Sequence, residues 1–262
     1  VSGSHRPFEE VYANKPGAIS RLSKHFIYTD VDGGDFGRFG GRFSFGRAIV
    51  DHYGTLKRHG EPIRRTIAQH RREGVTYVEY RSSGGHDSYE DFQDYHFPRV
   101  SEIIAASRDG FEARYMPSLS RLDPMTDYER LRQLMDEHPE VASAIVGVDF
   151  CNIEEGFPPK IMRAFFERLT YDNAQNSNRS LGVGYHVGES FFDKSLESSV
   201  RWCHEVALIG AKRLGHATVL GLDPAVSVSR RSDAHENERV SERLDQIAYD
   251  LEHKVRLSSY GV

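Results

Sequence analysis

Only two cysteines, Cys151 and Cys203, occur in this chain. That is too few for a disulfide framework and fits a reducing compartment, the cytoplasm. No run of about 18 apolar residues exists, so no segment reads as a membrane-spanning helix. The opening residues VSGSHRPFEE carry no apolar core of the kind a secretory leader has. Blocks of like charge are absent, and 34 Lys and Arg against 39 Asp and Glu give a formal net charge of -5. That balance argues against a nucleic-acid-binding surface and against nucleic acid as the direct substrate. The glycine-rich stretch Gly33–Gly46 (GGDFGRFGGRFSFG) is not followed by Gly-Lys-Ser/Thr, which excludes a phosphate-cradling loop there.

What the sequence does contain is an ordinary globular mixture: 262 residues, 38% hydrophobic and 28% charged. A single α/β barrel needs about 250 residues. Short apolar runs predict strands at His25–Val31, Val75–Arg81, Glu112–Leu119, Ala142–Phe150, Leu181–Val187 and Ala211–Leu220. Amphipathic stretches between them predict helices over Glu61–Glu73, Phe97–Asp109, Asp127–His138, Pro159–Leu169 and Ser198–Ile209, with a last one over His235–His253. In that last helix Val240, Leu244, Ile247, Ala248 and Leu251 share a face. On the helix after the fifth strand, Trp202 and Leu208 are expected to point inward and Arg201 and Glu205 toward water. Strand–helix alternation of this kind implies parallel strands with helical crossovers. The expected fold class is therefore α/β, a (β/α)8 TIM barrel that is incomplete here, with about six strand–helix units; an open six-stranded doubly wound sheet is the alternative. The reading divides the chain into a lead-in at 1–24 and a barrel at 25–262 truncated at its C-terminus. Val1 and Tyr260-Gly261-Val262 read as cut ends. Gly33–Gly46, with Phe36, Phe39, Phe43 and Phe45, reads as an irregular aromatic-pinned loop or a lid over a planar ligand.

Three strand ends carry chemistry. Ligands in parallel α/β proteins bind at the carboxyl ends of strands. Tyr185-His186-Val187-Gly188-Glu189 places an imidazole and a carboxylate three residues apart at one such end, where one could bind a metal and the other move a proton. Alternatively, His186 is a satisfied strand histidine and Glu189 a solvated cap. Arg213-Leu214-Gly215-His216-Ala217 places a second histidine at the next strand end, after a glycine that lets backbone approach a ligand. Asp149, inside an apolar run before Phe150-Cys151-Asn152, must be paired or hydrogen-bonded if buried, and is expected to be that rather than a metal ligand.

The ordered set Val75-Thr76-Tyr77-Val78-Glu79-Tyr80-Arg81, Ile145-Val146-Gly147-Val148-Asp149, His186-Val187-Gly188-Glu189 and Gly215-His216 resembles the adenosine deaminase family over about residues 20 to 225. Asp149-Phe150-Cys151, Glu154-Glu155-Gly156 and Pro158-Pro159-Lys160 look closest to the large bacterial deaminases of antiviral defence, CRISPR-associated or shell-forming. The resemblance implies a zinc-dependent hydrolase converting an adenine nucleoside or nucleotide, adenosine or ATP, to its inosine form. It further implies a homo-oligomer or larger assembly. It assigns His186 to zinc, Glu189 to protonation of the purine ring nitrogen, and His216 to orienting and deprotonating the attacking water. Asn152, Gly184 and Asp149 become substrate-binding positions.

The pattern departs from the family in three places. The family opens with His-x-His before Asp-Gly, whereas Tyr28 and Asp30 stand at the matching positions before Asp32-Gly33. Asp30 is expected as the second zinc ligand, since a carboxylate oxygen can ligate zinc; Tyr28 is a poor substitute. The closing Ser-Asp-Asp of the family is not in these 262 residues. Asn152 stands where the family usually has glycine along the purine. The competing expectation is a catalytically degenerate deaminase-fold subunit that binds or assembles.

Overall fold

The computed structural model describes residues 15–24, 26, 27, 29, 36–55, 57–84, 86–190, 193–223 and 238–253. They fall into two compact units, Val1–Pro62 and Ile63–Val262.

The first unit holds α1 (Ala18–Ser23) and α2 (Phe36–Thr55). The loop expected at Gly33–Gly46 is helix from Phe36 onward, and Gly33, Gly34 and Asp35 lie outside the described residues. Each glycine weakens a helix by about 1 kcal/mol relative to alanine but does not forbid it. Phe36, Phe39 and Phe43 recur at helical spacing, and Arg47 pairs with Asp51 one turn on at 3.7 Å. Of the first expected strand, only Phe26, Ile27 and Thr29 are described, and none is in a strand. The amides of Phe26 and Ile27 instead both bond the Ser23 carbonyl, extending the end of α1 as a turn.

The second unit begins within α3 (Glu61–Arg72) and continues β1 (Tyr77–Ser83), α4 (Tyr89–Ala106), β2 (Glu112–Ser118), α5 (Pro124–Glu137), α6 (Pro139–Ala142), β3 (Gly147–Val148), α7 (Arg163–Gln175), β4 (Gly182–Val187), α8 (Leu196–Ile209), β5 (Arg213–His216) and α9 (Val240–Glu252). α4 starts well upstream of its expected boundary because the Ser88 hydroxyl accepts from the Asp91 amide and caps it. The strand expected over Ala142–Phe150 shrinks to β3, since α6 takes its first residue; bridges from Ile145 and Asp149 to β2 prolong the pairing on both sides.

Every pairing is parallel: β1 with β2, β3 with β4, β4 with β5. The bridges Tyr115–Ile145 and Ser118–Asp149 join β2 to β3. The spatial order is thus the chain order, without the reversal a doubly wound sheet needs. The arc also curls. Glu79 on β1 and Arg213 on β5, at opposite ends of the order, form an ion pair, and Arg213 reaches Met116 on β2. Burial pushes the Glu79 carboxyl up, but hydrogen bonds from Arg213 and Tyr77 outweigh it and hold the group below the usual carboxylate range. Five described parallel strands of a barrel, in chain order and with side chains of the first and last meeting, is the observed architecture.

One hydrophobic cluster fills the space between strands and helices, with Tyr115, Leu131, Phe150, Phe165, Tyr185 and Val206 among its buried members. Trp202 is buried as expected, but two neighbours are reversed. Arg201 is buried, and Leu208 is 66% exposed. The cause lies on α9, whose inward residues are Glu242, Gln246 and Asp250 rather than its apolar stripe. Arg201 donates to Glu242 and to Gln246 Oε1 at 2.9 Å, and Trp202 Nε1 donates to Glu242 at 2.8 Å. Val240, Leu244 and Leu251 face outward and exposed.

Cys203 sits in this core, and burial pushes its thiol up to about 11. A protonated, covered thiol is inert. A colorimetric disulfide reagent at pH 8 should therefore leave Cys203 unmodified in the native protein and reach it only on denaturation. Rapid titration of both thiols would contradict this packing.

Candidate active site

The strand ends place the site. β3, β4 and β5 finish side by side, bringing Asp149, His186 and His216 to the same carboxyl end of the sheet. Asp149 is fully buried. Its Oδ1 accepts from His186 Nδ1 at 3.2 Å, and its Oδ2 lies 3.5 Å from Arg81 Nη1. A carboxylate can only accept, so Nδ1 carries a proton, and in the neutral ring Nε2 is then the lone-pair nitrogen, the arrangement in which a histidine ligates a metal. The expectation for Asp149, buried and hydrogen-bonded, is met.

The rings of His186 and His216 meet edge to face with centroids 4.9 Å apart. His216 Nε2 lies 3.3 Å from Glu189 Oε2, with both side chains a little over one-third exposed. His186, Glu189 and His216 thus converge on one mouth. Glycine makes the convergence possible. A Cβ on Gly215 would lie 2.9 Å from the His186 ring, so only glycine lets that ring lie across β5. Gly184 leaves room for Asp149, whose Oδ1 a Cβ there would approach to 3.1 Å. The backbone turns abruptly after β5: His216 and Ala217 both have positive φ, 60° and 49°. That conformation costs a non-glycine residue about 1–2 kcal/mol, and such outliers cluster at functional sites. Hydrogen bonds hold it in place, Ala217 N to Val187 O at 2.9 Å and Thr218 Oγ1 to Gly188 O at 2.7 Å.

Two residues that the sequence reading did not assign organise the loops. Glu154, buried on the loop after β3, accepts the amides of Gly188 (3.0 Å), Glu189 (2.9 Å) and Ser190 (2.6 Å). Arg121, buried beyond β2, donates to the carbonyls of Phe150 (2.8 Å), Asn152 (3.1 Å) and His186 (2.5 Å) and lies over the Tyr185 ring. A buried charge with backbone partners leaves no spacing signature. The only cue was its position just past a strand end.

Asn152 is exposed, and it is its carbonyl that Arg121 holds. Tyr28 and Asp30 lie outside the described residues. Among the described residues no three His, Cys, Asp or Glu side chains come together as a metal cage. The donors therefore amount to one oriented nitrogen, His186 Nε2, beside a histidine engaged with Glu189, which is not a closed zinc set. A separate cavity of about 680 Å³ lies on the flank of α7, α8 and α9, bordered by Phe166, Leu208, Tyr249 and His253, and none of the site residues lines it.

No protein-family model matches the chain, and no curated protein matches it. Among solved structures, an adenine deaminase from Arthrobacter aurescens is similar with a TM-score of 0.52 and 16% identity, over 81% of this chain and 58% of that one. An amidohydrolase from Burkholderia ambifaria, with bound zinc, gives a TM-score of 0.48 and 16% identity, over 65% of this chain and 44% of that one. The chain thus spans less than two thirds of the length of either protein. The likeness to the adenine deaminase is one of fold, a parallel α/β barrel, present here as an arc of five described strands.

Proposed function

We propose that the mouth formed by β4 and β5 is a hydrolytic deaminase site acting on a purine with an exocyclic amine. The observation that carries this reading is the His216–Glu189 contact at 3.3 Å beside the Asp149-oriented His186, at the strand ends where such barrels do chemistry. The fold likeness to an adenine deaminase supports it.

In this reading Glu189, as the acid, gives a proton to a ring nitrogen, which lets the ring accept charge. His216 takes a proton from water as its oxygen bonds to the amine-bearing carbon. His216 passes that proton to the amine, which leaves as ammonia as the C–N bond breaks, and the hydroxyl returns its proton to the Glu189 carboxylate, leaving a ring carbonyl. A proton donor and a base are both needed, and the two groups in contact are of those types. Asp149, which bonds His186, Gly184, which leaves it room, and the exposed Asn152 are the proposed substrate-binding positions.

Zinc is the cofactor the sequence resemblance implies, with His186 and Asp30 as its proposed ligands. When bound, a metal of this kind lowers the pKa of water. The described donors do not complete its site. We expect this chain to bind zinc with far less than the about 10–16 kcal/mol of a closed structural site. Calorimetric zinc titration checks this, and tight one-to-one uptake would show that a further ligand completes the set. Ammonia release from adenine, adenosine and ATP tests the activity itself. Adenosine or ATP as the substrate, a place in antiviral defence, assembly into an oligomer and a cytoplasmic location all rest on the sequence resemblance alone. Among the described residues no helix is long and apolar enough to cross a membrane.

The shortfall of donors among the described residues favours one second reading, a degenerate deaminase-fold module that binds or assembles without turnover. Purine binding with no ammonia release at saturating zinc would select it.

A further inference from the structure

We infer that Glu154 is the positioning residue for Glu189: its carboxylate sets the backbone from which Glu189 reaches His216. This deepens the deaminase reading and rests on it for what Glu189 does.

The geometry is specific. Three consecutive amides, Gly188, Glu189 and Ser190, turn toward one carboxylate, with Oε2 taking the first and Oε1 the other two. Successive N–H groups aimed at one point form an anion-binding concavity, and here the chain fills it with its own side chain. Hydrogen bonds to an ionised acceptor are the stronger kind. Gly188 and Ser190 are buried, as is Glu154, so removing the carboxylate strands donors that water reaches poorly.

The loop needs this support. Gly188 has φ 69°, and a Cβ there would meet Val219 Cγ1 at 2.8 Å and Cys203 Sγ at 3.0 Å, so the position is confined to the residue with the freest backbone. The Glu189 carboxylate, a little over one-third exposed, pairs with His216 Nε2 at 3.3 Å. The three amide bonds to Glu154 fix the backbone on which that side chain is carried. The clasp is reciprocal: Asp193, farther along the same loop, accepts the Gly156 amide at 2.6 Å, so each loop caps the other with a carboxylate.

The test separates positioning from mere bracing by a double-substitution cycle read on the His216 ring resonances. Glu189→Gln should shift those resonances in the wild-type background. In Glu154→Ala the same substitution should leave them unmoved, and exchange of the 188–190 amides should speed up at least about tenfold relative to β2 amides. Acetate, which can enter the vacated concavity, should partly restore both signals. An undiminished effect of Glu189→Gln in the Glu154→Ala background would overturn the inference. Should Glu154→Ala fail to fold, Glu154→Gln, which keeps one acceptor oxygen, should weaken the coupling while melting cooperatively; full coupling there also overturns it. Absence of ammonia release with the coupling cycle as expected would sink the deaminase reading and leave the positioning role standing. Deamination with no dependence of the coupling on Glu154 would do the reverse.

Discussion

Replacing Arg201 with alanine should lower the free energy of unfolding by about 3–5 kcal/mol. Arg201 is fully buried between α8 and α9, with Glu242, Gln246 and Glu205 as partners. Truncation leaves the Glu242 carboxylate buried against Trp202 Nε1 with its cation gone. An uncompensated buried charge is far more costly than the net worth of the pair. Glu242→Gln should cost less, because an amide oxygen still accepts from Trp202. Urea denaturation followed by Trp202 fluorescence measures both. A loss under about 1 kcal/mol for Arg201→Ala would show that α9 does not dock through this network.

The same network shows where sequence reasoning stops. Apolar residues at helical spacing argue for an inward stripe, and on α9 the stripe of Val240, Leu244 and Leu251 faces outward. What decided the orientation was a specific partner, the Arg201–Trp202 pair of α8, to which Glu242 and Gln246 are complementary. Periodicity cannot see a partner. The strands that pair across most of their length, β1, β2 and β4, were legible as apolar runs between turn residues. β3 was blurred because its apolar run begins within a helical turn. The order of strands could not be read at all, and the choice between barrel and doubly wound sheet waited for the β2–β3 bridges and the Glu79–Arg213 contact. In α2, glycine content hid a helix whose phenylalanine spacing was in plain view.

The site was legible in proportion to how local its logic is. His186, Glu189 and His216 could be singled out because a histidine or acid just past a buried strand has a predictable location. Asp149 followed from its apolar context. The roles of Glu154 and Arg121 could not be read, because their partners are backbone groups of other loops, and backbone carries no sequence mark.

Proton transfer from Glu189 to the ring is the step on which deamination at this site depends. The direct measurement is ammonia release from adenine, adenosine and ATP with zinc in excess, wild type against Glu189→Gln. Glutamine keeps the size and the contact with His216 but cannot donate the proton. General acid–base groups contribute about 10²–10⁴-fold, so the variant should lose at least about 100-fold in kcat, with KM changed little if binding is preserved. Equal rates in the two proteins would contradict the role of Glu189, and no release from any of the three substrates would contradict the deaminase site itself.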